Sequence, residues 1–363
     1  MGTRTNTAKW VESRKRWQVN VQKDGTRKTF TSSIPGRNGQ REANAKADAW
    51  LEQDLLPSSA RVEQLYEEFL EKIRTTTSTG NYKPMVGRWK NKIQPLIGQK
   101  SIRRLSDGHL QDVIDRAVGE GYSKKTAQNL RADLRAFLKW CRLHKYTTLS
   151  GEYLSIPKGA AVGQRKILQP RHLTILFNVD TTVLRGRRQP DELVNAYRLS
   201  VLTGLRPGEL LGLRWEDVEA DQICLHRAIN AYGEVTRGKN DNALRAVPLS
   251  PIACAVLDAQ KKMCDHSPGA PVFEITCQQT YRKRWKTYCR VNGLPDITAY
   301  ELRHTFISMA ASMPEGHLKQ LVGHSASMDT YGVYKHAVNG ENDLIRSELQ
   351  NIFSRYIPDT VAK

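Results

Sequence analysis

The spacing of apolar residues changes several times along the chain, and each change marks an element. Residues 10–33, WVESRKRWQVNVQKDGTRKTFTSS, carry short Val, Thr and aromatic runs on either side of KDGT, which predicts a small antiparallel sheet with a hairpin turn. After PGRNGQ the period becomes helical, with Ala43, Ala47, Trp50 and Leu51 on one face, a stripe suited to covering that sheet. A second stripe follows in Val62, Leu65, Tyr66, Phe69 and Ile73, and a clear helix is predicted over about 124–144 from Leu130, Leu134, Phe137, Leu138 and Cys141. The Gly, Ser and Pro of TTLSGEYLSIPKGAAVGQRK read as a linker. From about 165 the pattern is helical again, interrupted by DQICLHRAINAYGEVTRGKNDNALRAVPLS, whose apolar runs broken by YGE and GKNDN predict a second small antiparallel sheet. A last apolar face comprises Ile345, Leu349, Ile352, Phe353 and Tyr356.

These elements predict a mainly α, multidomain chain with small β-sheets. Residues 1–56 form a small sheet plus helix, 57–150 a helical bundle, and 151–164 a linker. Residues 165–363 form a mixed, mainly α domain with a small antiparallel sheet and a tail helix. A length of 363 residues suits two or three such cores.

Charge narrows the partner. Against 37 Asp and Glu stand 56 Lys and Arg, a formal charge of +19 and a pI near 9.7, which favours a polyanion such as nucleic acid or an anionic membrane surface. No apolar run approaches the roughly 20 residues that span a bilayer, and the start MGTRTNTAKW lacks the apolar core of a signal peptide, so a soluble, cytoplasmic protein is expected. The six cysteines are dispersed without a C-x-x-C pair, and no metal or other cofactor is expected. On the helix near 124–144, Arg131, Arg135, Lys139 and Arg142 recur beside the apolar stripe, with Lys124 and Lys125 at its start. They form a basic ridge that fits a phosphate backbone, or else a plain solvated face.

The reactive groups of the third unit form a basic set: Arg206, Lys239, Arg303, His304 and His324. No tight carboxylate cluster accompanies them. Phosphoryl transfer on such a set would neutralise the phosphate with fixed guanidinium and ammonium groups, with lysine as acid and a tyrosine as nucleophile. Pro207 places Arg206 at a helix start, and Thr298 with Glu301 matches a capping box that sets Tyr300 and Arg303 three residues apart on one helix face. Gly323 fits a helix stop after HLKQLV, with His324 just beyond.

These motifs resemble those of the tyrosine recombinase, or phage integrase, family. TGLRPGELLGLRW is similar to its first arginine box, GKNDNALRAVPL to its lysine hairpin with a trailing Arg, and YELRHTF to its His-x-x-Arg box. LVGHS is similar to its Gly-His box, and Tyr334-Lys335-His336 to its nucleophile segment. The resemblance implies a site-specific DNA recombinase, an integrase of a phage or other integrative element, working through a 3'-phosphotyrosine bond. By resemblance Arg206 and Arg303 hold the phosphate, Lys239 is the general acid, His324 assists and Tyr334 attacks, with Glu209 bracing Arg206. The family's usual first histidine is Tyr300 here; a phenol donates a hydrogen bond but carries no positive charge, so a positioning role is expected. His304 is read as a helix-packing residue.

The resemblance also implies an arm-site DNA-binding domain at 1–56, a core-binding domain at 57–150, and a location at the nucleoid. Implied partners are double-stranded attachment sites, three further copies on DNA, a directionality factor and a host DNA-bending protein. The tail helix is expected to pack on a neighbouring subunit or on its own domain. A type IB topoisomerase and a catalytically silent DNA-binding regulator are the alternatives. Tyr331, seven residues beyond His324 and followed by Gly332, fits the nucleophile pattern less well than Tyr334, ten beyond and followed by x-His.

Overall fold

The computed structural model describes residues 6–23, 26–52, 60–237, 245–275, 277–323 and 340–357. Its contacts divide the chain into two units, 1–163 and 164–363. The architecture is mainly helical with small antiparallel sheets.

The first unit opens with strands β1 (Lys9–Val11), β2 (Arg16–Lys23) and β3 (Thr26–Ser32), paired antiparallel in that order. Asp24 and Gly25 of the expected turn lie outside the described residues. Val19 and Val21, alternate residues of β2, are buried against Ala43 and Ala47 of α1 (Gly36–Glu52), as a period of two on a strand and four on a helix requires. The helix begins within PGRNGQ rather than after it.

A separate apolar cluster joins α2 (Val62–Thr76), α3 (Thr79–Arg88), α4 (Gln94–Ile97), α5 (Asp107–Gly119) and α6 (Lys124–Leu143). Ser123 caps α6 by accepting from the Thr126 amide at 3.3 Å. Tyr66 stacks flat on Trp89 with centroids 4.0 Å apart, and Phe69, Phe137 and Trp140 extend this aromatic seam. Arg88 reaches the buried Asp133 with two parallel bonds, Nε to Oδ2 at 2.5 Å and Nη2 to Oδ1 at 3.0 Å. The front of the segment read as a linker docks on this unit: Leu154 is buried in its core, and the Ser155 amide donates to Gln111.

In the second unit α7 (Pro170–Asn178) leads to a hairpin of β4 (Thr181–Leu184) and β5 (Arg187–Pro190). Next comes α8 (Val194–Thr203), of which every residue is buried. A helix enclosed on all sides belongs at the centre of a core; α10 (Pro251–Lys261) and α12 (Glu301–Met309) pack against it. Between α9 (Pro207–Gly212) and α10 lie two two-stranded pairs, β6 (Gln222–Leu225) with β9 (Arg245–Pro248) and β7 (Ala228–Ile229) with β8 (Val235–Thr236). The expected small sheet is thus two ribbons. α11 (Gln278–Val291), α13 (Glu315–Val322) and α14 (Glu341–Phe353) complete the unit. α14 packs on its own domain: Ile345, Leu349, Ile352 and Phe353 enter the same core, Phe353 stacks on Phe306, and Arg346 Nε donates to the Leu249 carbonyl at 2.9 Å. Of the two expectations for the tail, the structure realises packing in cis over 341–353.

Gly204 ends α8 in the left-handed region, φ 65°, and a Cβ there would lie 2.3 Å from Phe306 Cδ1. Backbone and neighbour both exclude a side chain. Gly204→Ala is therefore expected to lower the unfolding free energy by about 1–3 kcal/mol, read from the midpoint of a urea titration; an unchanged midpoint would contradict this packing.

Candidate active site

The site begins where α8 stops. The turn after Gly204 places Arg206 at the N-cap of α9, with Pro207 as the first helical residue. Glu209, three residues on, closes a capping box: its Oε2 accepts from the Arg206 amide at 2.9 Å and its Oε1 from Arg206 Nη1 at 2.6 Å. A carboxylate in the first turn of a helix is also favoured by the helix dipole.

Arg303 arrives from α12. Glu301, the first residue of that helix, accepts from the Thr298 amide at 2.6 Å and from the Lys166 amide, in the approach to α7, at 3.0 Å. The expected capping box is half formed: the helix starts at Glu301 with Tyr300 as its N-cap and no side-chain cap, and the Glu301 amide donates to the Thr298 backbone carbonyl instead of its hydroxyl. The side chains of Tyr300 and Arg303 differ in exposure. Tyr300 is 46% exposed, its ring 5.4 Å from that of His304 in an edge contact, whereas Arg303 is 2% exposed. Burial pushes the His304 imidazole below its ordinary pKa, helped by Arg165, in keeping with a packed, neutral ring.

A third arginine completes the cluster. Arg245, the first residue of β9, forks onto Glu209 with Nη1 to Oε1 and Nη2 to Oε2, both at 3.1 Å. In the sequence this residue is only the Arg trailing the lysine hairpin, and the R-x-V-P-L pattern gives no hint of its partner.

The three guanidinium groups share a second set of acceptors. Helix α13 ends at Val322, and Gly323 turns out of it in the left-handed region at φ 60°, its amide donating back to Lys319. The carbonyls of Leu321, Val322 and Gly323 accept in turn from Arg245 Nε at 2.9 Å, from Arg303 Nη2, and from Arg206 Nη2 at 3.0 Å. These are carbonyls that a helix end leaves without intrahelical partners, and the negative end of the dipole favours cations beside them. Arg303 also donates to the Gly204 carbonyl at 2.8 Å. Three arginines against one carboxylate leave a surplus of positive charge: burial, and next Arg206, pull Arg303 down to about 10. A guanidinium disfavoured by its own neighbours is one that an incoming anion relieves.

Lys239, His324, Tyr331 and Tyr334 lie outside the described residues. His324 follows Gly323 directly in sequence. Across the segment 324–339, His317 of α13 contacts two carboxylates of α14, Nε2 to Glu341 at 3.3 Å and Nδ1 to Glu348 at 3.0 Å. Among the described residues no group of acidic, His and Cys side chains is arranged to hold a metal ion, and no helix is long and apolar enough to cross a membrane.

On α6, Lys124, Lys125 and Lys139 are exposed and Arg131 and Arg142 half-buried. Arg135 departs from the expected ridge. Its Nε donates to the Gly151 carbonyl at 2.9 Å and its Nη2 to Glu152 at 3.0 Å, so it clamps the following loop to the helix.

Comparison with known proteins accords with this arrangement. The phage integrase family model matches residues 178–341, and the phage integrase N-terminal SAM-like domain model matches 63–145. The ICEBs1 integrase of Bacillus subtilis (strain 168) is 23% identical over 176 residues, covering 43% of this chain and 48% of that protein, so the match spans about half the relative's length. A tyrosine recombinase XerC-like protein of Caldanaerobacter subterraneus is 22% identical over 97% of this chain and 100% of its own length. Among solved structures, the Tn1549 transposon integrase in complex with transposon right end DNA matches with a TM-score of 0.59 at 18% identity, covering 80% of this chain and 99% of that one. A lambda integrase dimer bound to a COC' core site matches with a TM-score of 0.60 at 14% identity, covering 94% and 95%. At these identities the structures speak for a common fold. The two integrase models together take in more than half of the residues, in the same order as the helical unit and the arginine cluster described above, and the chain belongs to the phage integrase family of tyrosine recombinases.

Proposed function

We propose that this protein is a site-specific DNA recombinase, an integrase that cuts and rejoins DNA to insert and excise a mobile element. The observation that carries the reading is the convergence of Arg206 and Arg303, from helices almost a hundred residues apart in sequence, on the carbonyls that directly precede His324. A pair of guanidinium groups held in register is suited to the two nonbridging oxygens of a phosphodiester. Among the described residues, two of the five N–H donors of Arg303 have acceptors, which leaves donors for a phosphate.

In the proposed reaction the Tyr334 hydroxyl oxygen bonds to the scissile phosphorus, and the phosphorus–5'-oxygen bond breaks. The tyrosine proton passes toward His324, and Lys239 protonates the departing 5'-oxygen. A 3'-phosphotyrosine and a free 5'-hydroxyl result, with Arg206 and Arg303 stabilising the charge on the pentacoordinate phosphate. A 5'-hydroxyl from a partner strand reverses these steps through a Holliday junction. The phosphodiester exchange is isoenergetic in bond type, so it needs no nucleotide energy source.

Tyr300 donates one hydrogen bond to a phosphate oxygen; its exposure beside Arg303 supports that reading. Lys124, Lys125, Arg131, Lys139 and Arg142 contact DNA phosphates from the core-binding unit, and the sheet domain at the start of the chain binds separate arm sites. The partners are double-stranded attachment sites and three further copies of the chain, with a directionality factor and a DNA-bending protein acting on the assembly.

Tyr334→Phe is expected to abolish a covalent protein–DNA adduct on a nicked attachment site while site binding persists, and Tyr331→Phe to retain it; peptide mapping that places the DNA on Tyr331 would reverse the assignment. Lys239→Ala should cripple cleavage of ordinary DNA and recover on a 5'-bridging phosphorothiolate, whose thiolate leaves without a proton. Absence of recovery would reduce Lys239 to a phosphate grip. Tyr300→Phe should slow adduct formation by about tenfold, about 1.4 kcal/mol, with Tyr300→His tolerated; single-turnover kinetics decide.

A further inference from the structure

Arg245 is the one cation of the cluster for which the proposed chemistry has no task, and its surroundings are the most fully specified. It stands opposite Leu225 in the β6–β9 pair, its side chain 8% exposed, and each of its three guanidinium nitrogens has an acceptor. Two hold the carboxylate of Glu209, itself 4% exposed, and the third holds the carbonyl of Leu321. Arg206 takes the remaining two positions on the same carboxylate, one through its side chain and one through its amide, so Glu209 accepts four bonds, about the capacity of a carboxylate.

The charges then matter more than the bonds. Glu209 paired with Arg206 alone would make a neutral unit, and a neutral Arg206 unit has little to offer a phosphate. Arg245 supplies a second positive charge to the same carboxylate. Burial alone would push the Glu209 carboxyl up, but the Arg245 fork and then Arg206 more than offset it, and the group sits below its ordinary range, ionised at neutral pH. Arg206 is the more accessible partner, at 24% against 8% for Arg245, so the surplus charge is presented on Arg206.

We infer that Arg245 is a positioning residue of the recombination reaction: it is the counter-ion of Glu209, freeing the charge of Arg206 for the DNA phosphate, while its bond to Leu321 fixes where the chain leaves α13. The inference rests on the recombinase reading for its kinetic consequence, but the counter-ion relation stands on geometry alone. Removing Arg245 leaves a buried carboxylate whose remaining cation, among the described residues, is Arg206, which is then drawn into a neutral pair.

A charge-compensation cycle on the full-length protein tests this. The variants are Arg245→Met, Arg245→Lys, Glu209→Gln and the double variant Arg245→Met/Glu209→Gln, each measured for thermal midpoint, duplex affinity and adduct rate on a nicked site. Arg245→Met should slow adduct formation on the order of a hundredfold with affinity changed less than about threefold, and adding Glu209→Gln should recover at least about tenfold. The thermal midpoint should fall in Arg245→Met and rise again in the double variant. Arg245→Lys, which keeps the charge and loses the fork, should stay within about tenfold of the parent. A double variant no faster and no more stable than Arg245→Met, or a lysine variant as slow as methionine, would overturn the counter-ion role and leave Arg245 a mere anchor of α13. If the parent protein itself forms no adduct, the recombinase reading fails, and the thermal cycle alone decides the inference: recovery supports it, additive loss refutes it.

Discussion

Three guanidinium groups cannot be gathered in a protein interior unless something holds each of them without cancelling its charge. Here that task falls to backbone carbonyls at a helix end. Arg206, Arg245 and Arg303 take the last three carbonyls of α13 and its turn one apiece, and a single carboxylate, Glu209, ties two of them together. Carbonyl dipoles orient a guanidinium and lower the cost of burying it, yet leave its net charge available. A second carboxylate in place of the carbonyls would have ordered the same side chains and spent the charge. The enclosed α8, the left-handed stop at Gly204 and the short α9 all serve this arrangement by delivering Arg206 and the Gly204 carbonyl to the same place.

The segment that carries the proposed nucleophile is bracketed by described structure on both sides. Before it, Gly323 is held by Arg206; after it, α14 is joined to α13 through His317 and docked in the core through Ile345, Leu349, Ile352 and Phe353. The tail helix therefore does more than extend the domain. Its apolar face fixes the far end of the span 324–339 in the same unit as the arginines.

Much of this was legible in the sequence because it depends on local period and local chemistry. The stripe Val62, Leu65, Tyr66 and Phe69 is buried as one face of α2, and Leu130, Leu134, Phe137, Leu138 and Cys141 as one face of α6. The bracing of Arg206 by Glu209 and the Glu301 bond to the Thr298 amide span three residues and could be read directly, although the other half of that second capping box does not form. What could not be read depends on long-range encounters with groups that have no side-chain signature. Nothing in LRAVPL announces that Arg245 meets Glu209, 36 residues earlier, or the carbonyl of Leu321, 76 residues later. Helical spacing likewise put Arg135 on the basic ridge, but the loop that returns to it at Gly151 is a tertiary event, and it converts an apparent surface charge into a clamp. The same spacing grouped Tyr300 with Arg303, although the first precedes the helix proper and is half exposed while the second is buried on the Gly204 and Val322 carbonyls.

Because the acceptors on α13 are main-chain oxygens, every residue type supplies them equally. Leu321 and Val322 can drift to other apolar residues of similar size without any loss of the contacts that order the arginines. A gain or loss of one residue within Glu315–Val322 has the opposite effect: it turns everything beyond by about 100° and carries each carbonyl away from its guanidinium. The site is thus buffered against substitution along this helix and intolerant of a change in its length, so divergence here should run through side-chain identity while the residue count stays fixed.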